Sequence, residues 1–499
     1  MKMGAKKKII IKRCAGAVVF CLILTLVLGR VYQVLSWKDG AGGYMTPVET
    51  FYGLEEDVVD VIFLGSSHCY CSIINSRLWD DYGIAGYSLS ISGQDIAASY
   101  YWLKEALKTQ KPRVVCLEMY GAVYNGYAVE GNLYRNMLPH RLNADYLRMV
   151  RDLTDEASGS LQTENHIVSE EDRGSFLTKW PIIHTRYREL QRQDFTGPDI
   201  LYIGFSALID GRRSKPISWG SDGEALYEGD ETLEMEEEEW LRRIIELTRE
   251  NDVELCLFLA PMSVSKTDQM RMNYVAQLAE AEGIPFLNFI ELRKKVKISP
   301  EEDFLDVGHV NYKGGIKVTD AMGRFLSQNY ALEDHRGDER YELWERDLAI
   351  REHEFNAYTL QESTDPQYIL DCAAYASDYT IIIATEGDYF RETDYLWERL
   401  EPLGIGEEFE ERGGIWIVED GQVIWKTAAD TGEWYLEPDG VNISLLRESG
   451  TDRIFVEQQD CAGVANGISI VFYDKLLHNV VYAGGLAAGD GYSCVKCVN

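Results

Sequence analysis

From Val58 to about Tyr330 the chain alternates short, continuous apolar runs with amphipathic stretches. Val58–Leu64 is β-branched and uninterrupted, the pattern of a strand buried on both faces. Gly86–Ser90, Arg113–Met119 (introduced by Pro112), Val253–Ala260 (ended by Pro261) and Ile284–Phe289 read as further strands. Between them, Gln94–Leu107 sets Ile96, Tyr100, Leu103 and Leu107 along one side of a helix. Glu238–Glu250, Gln269–Glu282 and Tyr312–Gln328 read as helices too, with Gly283 as a C-terminal stop. Such alternation predicts an α/β domain, a parallel sheet with helices on both faces.

The pattern breaks twice. Residues 125–200 are polar and helical in pieces, an insertion expected to cover the carboxyl edge of the sheet, and Leu201–Gly220 reads as a loop. A dense charge run, Asp334–Glu354, reads as a linker. Beyond it Tyr379–Ala384, Gly414–Val418, Gln422–Trp425, Arg453–Val456, Ile468–Tyr473 and Val480–Tyr482 are strand-like, and Asp394–Leu403 is helical in pattern. The expected organisation is a basic tail and apolar helix over 1–37, an α/β domain over 50–332, a linker over 333–358 and a smaller β-rich domain over 359–499. A length of 499 residues fits more than one hydrophobic core.

At the N-terminus Lys2, Lys6, Lys7, Lys8, Lys12 and Arg13 precede the apolar stretch Cys14–Gly29. That stretch is shorter than the roughly 20 residues a spanning helix needs. Ile9–Ile11 and a snorkelling Arg30 extend it. No small-x-small cleavage site stands out around Leu28-Gly29-Arg30. With basic residues on the cytoplasmic side, the expectation is an uncleaved, single-pass signal anchor with the remainder outside the cytoplasm.

The rest of the chain is acidic: 82 Asp and Glu against 49 Lys and Arg give a formal net charge of -33. Nucleic acid is therefore not an expected partner. Thirty tyrosines and eleven tryptophans suit stacking on sugars, although packing accounts for most such rings. Ten cysteines in a chain of this length do not make a disulfide scaffold. Cys116 and Cys256 sit in strand-like runs as buried thiols, a Cys372–Cys461 bridge is open, and Cys494 and Cys497 form a terminal pair whose role stays open. Neither a metal nor a cofactor is called for.

The first strand ends in Leu64-Gly65-Ser66-Ser67-His68. A serine at the carboxyl end of the first parallel strand lies where such sheets bind ligands, but it needs a base to become a nucleophile. Asp306-Val307-Gly308-His309, just before the final helix of the domain, supplies one. The carboxylate three residues before the imidazole can orient it while its other nitrogen faces the serine. Each motif alone is ordinary; a surface turn and a capping Asp explain them as well.

Taken together they resemble the SGNH (GDSL-like) hydrolases over about residues 55–330. Gly65-Ser66-Ser67 matches the nucleophile block, with Ser66 where that family usually has Asp, and Asp306-Val307-Gly308-His309 matches its last block. Gly93, in Ser90-Ile91-Ser92-Gly93-Gln94, matches the glycine whose N–H joins that of Ser67 in an oxyanion hole. The family's Gly-x-Asn-Asp block is missing; Leu117-Glu118-Met119-Tyr120 stands there, leaving Tyr120 or Asn125 as third donor. Trp180-Pro181-Ile182-Ile183-His184-Thr185-Arg186-Tyr187 is similar to a segment of membrane-anchored bacterial acyl-transfer proteins, such as those of alginate acetylation and teichoic-acid D-alanylation. That likeness makes His184 and Arg186 candidates for binding a sugar or acyl carrier, or simply partners for carboxylates. Asn466–Asp474 resembles a strand phrase of the interleukin-like EMT inducer domain.

The resemblance implies a flavodoxin-like three-layer sandwich and an acyl-enzyme on Ser67, with Asp306 and His309 completing a triad. It implies an extracytoplasmic acyltransferase or esterase that adds or removes O-acyl groups, acetyl foremost, on a cell-surface polysaccharide. A membrane-bound O-acyltransferase is the partner implied for transfer. An inactive scaffold that binds glycan or organises envelope assembly is the rival. The acyl group, the polymer, the direction of transfer and the oligomeric state are not legible in the residues.

Overall fold

The structure is a computed structural model. It describes the chain except residues 1–4, 37–44, 124–129, 155–169, 191, 197–201, 205–216, 220–225, 234, 376, 386–397, 406–412, 449–450, 462–466, 488–492 and 497–499. Two compact units divide it, Met1–Leu348 and Ala349–Asn499.

In the first unit, β1 (Val61–Gly65), β2 (Gly86–Ser90), β3 (Val114–Glu118), β4 (Glu254–Leu259) and β5 (Phe286–Asn288) form one parallel sheet in the order β2-β1-β3-β4-β5. Its register pairs Val61 with both Gly86 and Val114, Val114 with Glu254, and Leu257 with Phe286. This order is the doubly wound one, in which crossovers from the first strand run both ways and leave a crevice at its carboxyl end. Burial on both faces explains the apolar runs: every residue of β1, β2 and β3 is buried. Cys116 and Cys256 lie side by side in register as free thiols.

Helices flank the sheet. Ile96–Ala106 packs on Met235–Glu250, and Tyr312–Asn329 packs on Ser67–Ser72 and Asn75–Tyr82. Caps set their ends: Asp95 accepts from Ala98 N, Asn311 from Lys313 N and Gly314 N, and Ser265 with Asp268 makes a capping box before Lys266–Glu282. Thr319 Oγ1 accepts from Ile74 N at 3.0 Å and donates to Ser72 O at 3.1 Å, tying the last helix of the domain to the segment after Ser67. Within residues 125–200 the described residues are short helices such as Glu130–Met137, Ala144–Thr154 and Glu170–Thr178.

The N-terminal helix runs Ala5–Leu35, and Arg13–Leu35 within it is 23 residues long with a mean hydropathy of 2.3. Its apolar side chains are exposed, Phe20 by 64% and Leu26 by 73%. By length and composition it can cross a bilayer, whose hydrocarbon is about 30 Å thick.

The second unit is β-rich. A six-stranded sheet runs β15-β14-β13-β6-β7-β8, built from β6 (Tyr379–Thr385), β7 (Gly414–Glu419), β8 (Gln422–Thr427), β13 (Gly467–Asp474), β14 (Asn479–Ala487) and β15 (Ser493–Lys496). A second sheet has the order β12-β11-β10-β9, from β9 (Gly432–Leu436), β10 (Ile443–Glu448), β11 (Thr451–Val456) and β12 (Gln459–Asp460). Ile382, Ile415 and Ile417 of the larger sheet pack on Ile443, Leu445 and Ile454 of the smaller. The other face of the larger sheet, with Ile381, Ile383 and Ile470, meets Leu360, Ile369 and Leu370. Strands β9 and β10 are not among the strand-like runs of the sequence: no residue of β9 is buried, and every second residue of β10 is at least partly exposed.

Two expectations change, and one open question closes. The charged run read as a linker is mostly helix, Glu342–Glu362. Trp344 enters the first core and Leu360 the second, so the run's charges hide buried positions at each end. The Cys372–Cys461 bridge left open by the sequence does not form. Of the helix expected over 394–403, residues 394–397 lie outside the described residues, and Glu401–Leu403 is a 3-10 turn after a short helical stretch.

Arg447 is buried in this second unit. Its guanidinium pairs with Asp452 at 2.6 Å and donates to Thr385 O at 3.0 Å and Gly414 O at 3.2 Å, bridging the two sheets. Removing one partner of a buried pair strands the other charge. Arg447→Met is expected to lower the stability of this unit by about 3–5 kcal/mol. Urea unfolding followed by tryptophan fluorescence checks it; an unchanged midpoint would refute the bridging role.

Candidate active site

Ser67 stands immediately after β1 as the first residue of the helix Ser67–Ser72, with Ser66 as N-cap. The preceding Gly65 has φ +145°, and a Cβ there would fall 2.5 Å from Glu118 Cβ on β3. Glycine is therefore required where β1 passes β3 and turns sharply. The turn leaves Ser67 partly exposed at the carboxyl end of the sheet.

Asp306 and His309 arrive on a loop closed at its base by pairing of Phe304 with Val310. Leu305 N donates to His309 O at 3.0 Å, and Val307 O accepts from Ser263 N at 2.7 Å, docking the loop onto the segment after β4. Asp306 Oδ1 accepts from Gly308 N at 2.7 Å and His309 N at 2.8 Å. The same carboxylate meets His309 Nδ1 at 3.0 and 2.9 Å. His309 Nε2 lies 2.7 Å from Ser67 Oγ. Partial burial alone would raise the Asp306 pKa. The hydrogen bond and charge of His309, with the two backbone N–H groups, outweigh it and hold the carboxyl at about 2. An ionised Asp306 fixes the Nδ1–H tautomer, leaving Nε2 as the proton acceptor for Ser67.

Beneath this chain lies a second polar network that sequence reasoning did not find. Glu118, at the end of β3, is 1% exposed; its Oε1 accepts from Tyr120 N at 2.9 Å and its Oε2 from Ser66 Oγ at 3.2 Å. Ser66 Oγ also lies 3.1 Å from His68 Nδ1. The His68 ring stacks on His309, centroids 4.7 Å apart, and against Tyr120 at 3.8 Å. Burial, with the neighbouring charge of His309 and against that of Asp306, keeps His68 well below its usual pKa and so neutral. Burial also lifts the Glu118 carboxyl to about 7, against the Tyr120 and Ser66 bonds. Ser66 thus links the two groups: its hydroxyl can donate to Glu118 while accepting from His68. The signal was present in the sequence, since a glutamate ending an otherwise apolar strand is anomalous.

Gly93 sits in the turn after β2 with φ +67°. A Cβ there would fall 2.2 Å from Asn132 Cγ and 2.4 Å from its Nδ2, so the Asn132 amide lies directly over the glycine. Asn132, from the helix Glu130–Met137, was not singled out because nothing local marks it. Asn125 lies outside the described residues. Tyr120 has its ring against His68. His184 and Arg186 do not join the Ser67 cluster by any contact among the described residues. Arg186 Nη1 bonds Ser36 O and Leu35 O, and Nη2 pairs with Asp194 at 3.0 Å, so it clamps the end of the N-terminal helix. His184 Nδ1 is taken by Pro181 O at 2.8 Å, and its ring stacks on Trp180. Of the two readings open for this pair, Arg186 shows the carboxylate partner, Asp194. No group of three His, Cys, Asp or Glu able to hold a metal occurs among the described residues.

No family model and no curated protein matches the chain. Solved structures similar to it include an acetyl xylan esterase, 11% identical with a TM-score of 0.26, covering 54% of this chain and 100% of the other. A GDSL-like lipase from Bacteroides thetaiotaomicron is also 11% identical, TM-score 0.27, covering 57% of this chain and 97% of the other. Likenesses of this degree carry no argument about fold or activity.

A carboxyl raised from 4.5 to about 7 costs folding free energy as pH rises through that window, because the unfolded chain releases its proton first. Glu118→Gln removes this cost. Relative to wild type, the variant is expected to gain up to about 3 kcal/mol between pH 5 and 8. Paired chemical-denaturation curves at the two pH values measure it. A constant difference would show that Glu118 keeps an ordinary pKa.

Proposed function

We propose that this chain is a membrane-anchored, extracytoplasmic serine acyltransferase or esterase of the SGNH kind. The observation that carries the reading is the 2.7 Å contact of Ser67 Oγ with His309 Nε2, whose other nitrogen is held by Asp306. As the acyl carbon is attacked, the Ser67 O–C bond forms and the hydroxyl proton passes to His309 Nε2. The carbon–oxygen bond to the leaving alcohol then breaks, and His309 returns the proton to that oxygen. Attack by water on the acyl-enzyme gives hydrolysis; attack by a hydroxyl of a cell-surface polysaccharide gives transfer. Both run on the same residues.

The oxyanion is assigned to the N–H groups of Ser67 and Gly93 and to Asn132 Nδ2, in place of the missing Gly-x-Asn-Asp block. What favours Asn132 is its position against Gly93 and the two donors its amide offers. Its oxygen is oriented by Arg135 Nη1 at 3.2 Å, which turns the NH2 end away from that arginine. The N-terminal helix and its basic flank support the anchored topology, with a membrane-bound O-acyltransferase as the implied donor partner. O-acetyl groups are the acyl class most consistent with the SGNH resemblance.

Hydrolysis of p-nitrophenyl acetate and labelling by a fluorophosphonate probe test the reading on the full chain. Ser67→Ala and His309→Ala are expected to abolish labelling, and Asp306→Asn to lower kcat about 10⁴-fold. Wild type that is folded yet neither labels nor hydrolyses would leave the scaffold reading. Asn132→Ala is expected to lower kcat about 10²–10³-fold with little change in KM. An unaltered kcat would remove Asn132 from the oxyanion hole.

A further inference from the structure

Where the N-terminal helix ends, the first unit encloses a cavity of about 560 Å³. Its charged wall is mostly basic: Arg30, Arg141 and Lys179, against Glu49 and Asp194. Asp194 is 3% exposed and already paired with Arg186. The cations, by contrast, bond neutral oxygens. Arg30 donates to Gln33 Oε1 at 2.7 Å and Phe195 O at 3.1 Å. Arg141 donates to Tyr52 O at 3.3 Å, with its guanidinium 4.0 Å over the Tyr52 ring.

Lys179 is the sharpest case. It is 3% exposed, donates to Leu138 O at 2.9 Å and to His140 O, and lies 4.2 Å from the Tyr146 ring. Among the described residues its one carboxylate neighbour, Glu105, acts from beyond ion-pair distance. Glu105 is itself taken by Lys108 at 2.5 Å and Asn143 at 3.0 Å. Burial, against that distant charge, holds the Lys179 amine down to about 7. A buried cation with no counter-ion is costly. In a chain with 82 acidic side chains, three cations that have no carboxylate partner among the described residues, gathered around one cavity, mark a place for an external anion.

The same cavity is lined by Leu142 and Phe195, 50% and 54% exposed, and by Arg30, Tyr32 and Gln33 of the apolar helix. We propose that it binds the phosphate ester head of a membrane lipid, with Arg30, Arg141 and Lys179 on the phosphate and Leu142 and Phe195 along the first carbons of the chains. The assignment rests on the anchored topology proposed above, which sets the cavity at the surface of the bilayer. A lipid rather than a soluble phosphate follows from this placement and from the exposed apolar side chains beside the cations.

Native mass spectrometry of the full chain in a mild nonionic detergent tests this with three probes: phosphatidylglycerol, diacylglycerol and inorganic phosphate. The expected result is one retained phosphatidylglycerol per chain, no retained diacylglycerol, and at least tenfold weaker retention in both Arg141→Ala and Lys179→Met. Arg141 is exposed, so its variant speaks even if Lys179→Met fails to fold. Retention unchanged in Arg141→Ala and Arg30→Gln would overturn the site. Inorganic phosphate displacing the lipid at equal concentration would overturn the lipid assignment in favour of a free anion. Alkaline carbonate extraction from vesicles separates this proposal from the topology. A chain that resists extraction but binds no phosphatidylglycerol refutes the cavity alone, whereas an extracted chain refutes the anchor on which it rests.

Discussion

A hydrogen bond of 2.7 Å joins Ser67 to His309, side chains 242 positions apart, and the chemistry assigned to this chain depends on it. It can form only while the five-stranded sheet is closed. Ser67 is delivered by the carboxyl end of β1, and the Asp306–His309 loop is docked through Val307 O onto Ser263, just beyond β4. Parallel pairing puts the carboxyl ends of all strands on one edge, so two distant loops meet there without further design. Thr319 then ties the last helix to the segment behind the nucleophile, which couples the position of the loop to that of the serine.

The site carries two carboxylates whose surroundings push them in opposite directions. Asp306, half exposed and surrounded by donors, stays ionised, whereas buried Glu118 rises to about 7. The first orients the base. The second organises the floor on which the base rests, through Ser66 and the ring of His68 stacked under His309. An aspartate in place of Ser66 would set a second carboxylate beside Glu118 in one buried site, where the two would repel.

Charge is distributed unevenly for a chain so acidic. Acidic side chains on the helices are largely solvated or paired along one face, as in Glu238–Arg242 and Glu239–Arg243. Cations with no carboxylate partner among the described residues gather instead at the end of the apolar helix, where Arg186 also fastens the chain. The N-terminal helix and the rest of the first unit are thus connected by side-chain bonds to backbone oxygens as well as by the intervening chain.

Much of the architecture was legible because buried parallel strands must be apolar throughout. Val58–Leu64, Arg113–Met119 and Val253–Ala260 announced β1, β3 and β4 to within a few residues, and Gly65, Ser67, Asp306 and His309 could be named from local motifs. Partly exposed strands such as β9 and β10 lack that signature, and the charges of Glu342–Glu362 hid the buried Trp344 and Leu360. Tertiary structure alone decided which residues surround the triad. Asn132 over Gly93, His68 under His309 and Lys179 on the carbonyls of Leu138 and His140 are juxtapositions of residues that no spacing links. Sequence records the backbone's periodic need to bury apolar faces; contacts between side chains on different elements exist only once those faces have been buried.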